Sequence, residues 1–99
     1  MINHVVLFKL KDYPIEQKPP IIAEMKSLLE GLNGKIDELK YIEVGVNYEL
    51  EAKSYDLALI THFNSIEDLD KYRVHPEHKK VIARFADFNL DRAAVDFEF

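Results

Sequence analysis

Between Tyr72 and His78 the chain places a phenol and two imidazoles within seven residues, Tyr72-Arg73-Val74-His75-Pro76-Glu77-His78. A neutral imidazole of ordinary pKa can take a proton from the carbon beside a carbonyl. A phenol O–H aimed at that carbonyl's oxygen stabilises the enolate that results. His78 is therefore the candidate base and Tyr72 the candidate carbonyl partner. The plainer reading gives both residues structural work. Tyr72 packs its ring in the core and caps a backbone carbonyl, while His78 faces solvent. A metal site is not expected, because His75 and His78 supply at most two ligands and no third is placed by the sequence.

These side chains need elements to aim them. Pro76 cannot continue a helix from upstream but can start one, since the first helical position needs no N–H donor. The segment reads as the end of one helix, a corner at His75, and a second helix from Pro76 to about Phe85. His75 closes that turn with a ring-to-backbone bond. The preceding helix starts at Ser65, with Asp68 three residues on as a capping box, and presents Ile66, Leu69 and Tyr72 inward. Upstream, Pro19-Pro20 opens a helix to about Leu32, with Ile22, Met25, Leu29 and Leu32 at amphipathic spacing and Asn33-Gly34 as its stop.

Four strands complete the pattern. They span residues 2–10, 40–48, 55–63 and 93–99, with a polar hairpin loop at 49–54. In the first, Ile2, His4, Val6, Phe8 and Leu10 share a face. In the second, Ile42, Val44, Val46 and Tyr48 do so, and Gly45 suggests a bulge or close packing. In the third, His62 shares its face with Asp56, Ala58 and Ile60. Right-handed crossovers make this an α+β split βαβ arrangement, a four-stranded antiparallel sheet with helices on one face. Several strands are apolar on both faces, so the bare face calls for a cover, and a second copy of the chain is the simplest one. A homodimer is the expected partner state.

His4 points into an apolar layer, and the fourth strand lies beside the first. Asp96 on that strand is the candidate orienter of His4 or of His78, fixing an imidazole tautomer. Its plainer reading is a sheet-edge carboxylate in water. The expected pocket between helices and sheet is small and mostly apolar. It gathers His4, Val6, Phe8, Met25, His75 and Ile82 around Tyr72 and His78, with room for a small apolar ligand.

Composition narrows the class of function. The chain has 99 residues, enough for one domain over residues 1–99, with 47% hydrophobic and 31% charged residues. Net charge is −5 and the pI is near 5.3, which disfavours a nucleic-acid partner. The absence of cysteine removes disulfides, thiol nucleophiles and cysteine zinc sites together. No leader-like segment precedes the first strand and no apolar run approaches a membrane span, so a cytoplasmic protein is expected.

An ordered set of short segments resembles the stress-responsive A/B barrel (Dabb) family. It comprises His4-Val5-Val6-Leu7-Phe8-Lys9, Gly45-Val46-Asn47, Tyr55-Asp56-Leu57-Ala58-Leu59, Phe63-Asn64-Ser65-Ile66-Glu67-Asp68-Leu69, Tyr72, His75-Pro76-Glu77-His78 and Val95-Asp96-Phe97. The resemblance implies a ferredoxin-like fold whose sheets pair into a dimeric α+β barrel. Within the family it also points to plant polyketide cyclases, which perform an aldol-type closure with a tyrosine and a histidine at positions that Tyr72 and His78 match. Three functions follow as expectations. The first is a cofactor-independent enzyme acting on a small carbonyl compound, with His78 as base, Tyr72 on the carbonyl and Asp96 as orienter. The second is a non-enzymatic stress-associated binding or assembly module, and the third a cofactor-free monooxygenase.

Overall fold

The computed structural model describes residues 1–50 and 53–99. The elements run β1 (Ile2–Leu10), a 3-10 turn (Ile15–Gln17), α1 (Lys18–Glu30), β2 (Tyr41–Val46), β3 (Leu57–Phe63), α2 (Ile66–Val74), α3 (Pro76–Phe85) and β4 (Leu90–Glu98). The strands form one antiparallel sheet in the order β2-β3-β1-β4, the split βαβ arrangement expected from the element order.

β1 is central, and its alternation of burial is unbroken. Ile2, His4, Val6, Phe8 and Leu10 are buried, while Asn3, Val5, Leu7 and Lys9 are half-buried on the other face. This is the two-residue period of a pleated strand with helices on one side only. Ile22, Met25 and Leu29 of α1, Leu69 and Tyr72 of α2, and Val81 and Phe85 of α3 close the core over that buried face.

The uncovered face is largely apolar. Antiparallel register lines up Ala58, Leu7 and Ala93 in one row and Ile60, Val5 and Val95 in the next. Val95 remains 56% exposed and Phe97 45%. A contiguous apolar surface of this kind marks an interaction face in a soluble protein.

Several local expectations are corrected. α1 ends at Glu30, two residues short of Leu32, because the chain tightens into i→i+3 bonds such as Leu32 N to Leu29 O at 3.0 Å. Gly34 still takes the left-handed conformation, at φ 81°. β2 stops at Val46, and Tyr48 lies beyond it, almost fully exposed, so it does not share the buried side of Val44. Pairing runs through Gly45↔Ala58 without a bulge, and a Cβ at Gly45 would touch nothing within 4 Å. Ile66 is half-exposed because it is the first residue of α2, and Leu69 and Tyr72 alone carry that helix's buried stripe. Part of the expected 49–54 hairpin loop, residues 51 and 52, lies outside the described residues.

Asp56 also departs from expectation. It is buried at 2% exposure instead of sharing the outer face with His62. Its Oδ2 accepts the Leu10 N–H at 2.8 Å, and Lys18 Nζ stands 3.9 Å from Oδ1. The carboxylate thus extends the β1 ladder past the start of β3. Asp56→Ala would leave a buried N–H without an acceptor, at a cost of about 1–3 kcal/mol. Denaturant unfolding at fixed protein concentration should show that loss, with Asp56→Asn retaining part of the stability.

Candidate active site

Two helix ends and two strands converge on the functional side chains. Ser65 caps α2, its Oγ accepting the Asp68 N–H at 3.2 Å. This fixes where the helix starts and so which residues turn inward. Tyr72 falls on the buried stripe, 1% exposed. At the corner, His75 adopts an extended backbone (φ −66°, ψ 137°) that a following proline favours. Its Nδ1 accepts the Glu77 N–H at 3.1 Å, so the ring caps α3. One turn into α3, His78 comes back over Tyr72, with ring centroids 4.3 Å apart at 43°.

The tautomer of His78 follows from its partner. Nδ1 lies 3.1 Å from the Arg73 carbonyl oxygen, which can only accept. Nδ1 therefore carries the proton, and Nε2 is left with a free lone pair. Burial pulls the His78 pKa below the ordinary 6.5; the Arg73 carbonyl bond opposes this, and the charges of His4, Arg92 and Arg73 add to it. The ring is neutral at pH 7.

Tyr72 is the reverse case. Burial pushes its pKa up to about 12, only partly offset by Arg92, so the phenol keeps its proton. The ring lies between Phe63 at 4.9 Å and His78, with His4 edge-on at 6.4 Å. The hydroxyl caps no backbone carbonyl, because it has no hydrogen-bond partner among the described residues. An orphaned buried donor costs about 1–3 kcal/mol. Such a cost is tolerated where the group has another use.

A cavity of about 60 Å³ opens beside these groups, lined by His4, Val6, Phe8, Leu29, Leu59, Tyr72, Arg73, His78, Ile82, Phe85 and Arg92. Of the expected pocket residues, His4, Val6, Phe8 and Ile82 are on its wall, with Ile82 47% exposed on α3. Met25 is not. It is buried in the core on α1, where Leu29, one turn later, reaches the cavity instead. His75 is also absent from the wall, because its ring is spent on capping α3. Arg73 and Arg92 were not expected there. Both side chains are exposed, as charged residues on a helix end and an edge strand read from the sequence, and the packing also brings them to the cavity mouth.

Asp96 contacts His4 and not His78. β4 pairs His4 opposite Asp96, so both project from the same face. His4 Nδ1 donates to Asp96 Oδ1, and Asp96 Oδ2 accepts from Arg73 Nη2 at 3.0 Å. Asp96 thus bonds the His4 ring and the Arg73 side chain, and the Arg73 backbone carbonyl in turn holds His78. Among the described residues no cluster of three or more His, Asp or Glu side chains could hold a metal ion. No helix among them is long and apolar enough to cross a membrane.

A four-stranded antiparallel sheet backed by three helices, with one bare apolar face and a cavity under the helices, defines the ferredoxin-like α+β class. Residues 2–99 match the stress responsive A/B barrel domain, and the chain belongs to that family. It is 30% identical over 99 residues to an uncharacterised protein of Streptomyces coelicolor, covering the whole of both chains. A dimeric protein of unknown function and ferredoxin-like fold from Bacteroides fragilis superposes with a TM-score of 0.88 at 36% identity, covering 99% of this chain and 95% of that one. A dimeric ferredoxin-like protein of unknown function from Thermobifida fusca gives 0.84 at 30% identity, covering 99% and 90%.

Proposed function

We propose that the chain works as a homodimer closed over its bare sheet faces, and that each His78–Tyr72 cavity removes a proton beside the carbonyl of a small substrate. The observation that carries this reading is a buried phenol beside a neutral imidazole, the Tyr72 Oη and the His78 Nε2 both without a hydrogen-bond partner among the described residues. Nε2 of His78 takes the proton, the C–H electron pair becomes the enolate C=C bond, and Tyr72 donates its O–H to the oxygen that gains charge. Asp96 acts at a distance, through His4 and Arg73. Both reacting groups belong to the chain, so the step as written draws on no cofactor. Dimerisation is supported by the apolar outer face and by the dimeric state of the similar proteins from Bacteroides fragilis and Thermobifida fusca.

The cavity volume, about 60 Å³, is far below the ~300–1,000 Å³ of drug-sized ligand sites. It favours a compact substrate over the extended chain a polyketide cyclase handles. The same volume also suits the second reading, a stress-associated binding module with no turnover. Hydrogen–deuterium exchange at the methyl groups of small ketones and keto acids, followed by NMR in D₂O, separates the two. Exchange above the buffer rate supports the enzyme; stabilisation by ligand with no exchange across the series supports the module.

The pH profile is a further check. Proton abstraction needs His78 neutral, so kcat/KM should rise with pH through an apparent pKa below 6.5 and then stay level. Tyr72 sets no descending limb until pH approaches about 12. The same shift has a stability sign. The unfolded chain binds a proton at His78 more readily than the folded one, so this contribution is fully present above pH 6.5. It is lost as pH falls from there through the folded value. An NMR titration of the His78 ring should place its midpoint below 6.5; a midpoint above it would remove the neutral base from the argument.

A further inference from the structure

Two permanent cations, Arg73 and Arg92, stand on the cavity wall, and their situations differ. Arg73 divides its guanidinium between Asp70 and Asp96, at 3.0 Å in each case. Arg92 has no ion-pair partner among the described residues. It projects from the helix-covered face of β4, opposite Phe8, while Asp96 stands opposite His4. Four residues at about 3.3 Å each separate the two backbone positions by ~13 Å. Asp96, already bonded on both oxygens, therefore does not neutralise Arg92.

The surroundings give that free charge a purpose. Apolar walls flank it, with the Phe8 and Phe85 rings packed edge to face at 5.4 Å. Its field reaches the reacting groups, since it lowers the pKa of both Tyr72 and His78. A guanidinium presents a planar fork of donors that matches a carboxylate bidentately, and such a pair gains strength beside apolar surface. The Tyr72 hydroxyl, nearly fully buried on the same wall, is a second polar group without a partner among the described residues.

We propose that Arg92 anchors a carboxylate, so that the substrate class is a compact 2-oxo carboxylate and not a neutral ketone or a long acyl chain. The carboxylate lies at the mouth on Arg92, the adjacent carbonyl oxygen on Tyr72 Oη, and the carbon that loses its proton against His78 Nε2. The last two placements rest on the proton-abstraction reading; the first does not. A cavity of about 60 Å³, open at its mouth, holds only the reacting end of such a molecule, being roughly twice the ~30 Å³ share of one liquid water.

Pyruvate and its neutral analogue pyruvamide, nearly identical in shape, test this by NMR titration of the His78 and Tyr72 ring signals. Pyruvate should bind at least about tenfold more tightly than pyruvamide. Arg92→Met should collapse that ratio toward one, and Arg92→Lys should restore part of it. Equal affinities, a ratio that survives Arg92→Met, or no binding of either compound overturns the carboxylate site. Methyl-proton exchange in the same D₂O samples judges the chemistry separately. A pyruvate preference without exchange keeps the Arg92 site and rejects proton abstraction, whereas exchange without a preference does the reverse.

Discussion

His78→Ala should lower methyl-proton exchange by about 10²–10⁴-fold, the usual loss when a positioned general base is removed. The fold should survive, since His78 is only half-buried and its one hydrogen bond goes to a carbonyl at a helix end. Tyr72→Phe makes the argument sharper because its two effects run in opposite directions. Loss of the enolate donor costs about 10²–10³-fold in rate. Loss of the orphaned hydroxyl removes a desolvation cost, so the variant should be as stable as the parent or more stable by about 1 kcal/mol. A purely structural tyrosine would give no rate change. A Tyr72→Phe protein with parental exchange would return Tyr72 to the core. Function held against stability is the expected signature of an active-site group.

Val95→Glu should dissociate the proposed dimer. The side chain is 56% exposed in the single chain, so the substitution is harmless to an isolated subunit and matters only if the face is covered. Burying an unpaired carboxylate costs several kcal/mol, and 3 kcal/mol is already more than about 10²-fold in association. Sedimentation at micromolar concentration should move from twice 11.6 kDa for the parent to 11.6 kDa for the variant. The parent's unfolding midpoint should rise with protein concentration while the variant's does not. A parent that sediments as a single subunit would remove the case for the closed barrel. A closed dimer would also account for Gly45, which sits in the same row as Ala58 and Leu7, where a partner's approach would favour the absence of a side chain.

Much of this architecture is legible in the residues. The alternation of Ile2, His4, Val6, Phe8 and Leu10 against Asn3, Val5, Leu7 and Lys9 is a local property, imposed by the two-residue period of a strand. The Ser65 and His75 caps are local too, since a side chain can satisfy only the N–H groups within a few residues of it. Those signals place Tyr72 and His78 on adjoining helices and aim both inward. The local reading erred mid-element at Gly45 and Met25, and otherwise mainly at element ends. Leu32, Ile66 and Tyr48 keep the apolar character of their neighbours, but termination depends on turns and sheet edges that periodicity does not register.

Sequence by itself determined the order of elements, the bare apolar face, and the phenol–imidazole pair at the α2–α3 corner, because each follows from interactions spanning only a few residues. Which histidine Asp96 holds, that Leu29 and not Met25 meets the cavity, and that Arg92 stands there with no counter-ion among the described residues emerge only from the packing. Those outcomes depend on strand register and helix rotation. A shift of one residue in register, or a fraction of a turn in a helix, sends the same side chain to the opposite side of the layer.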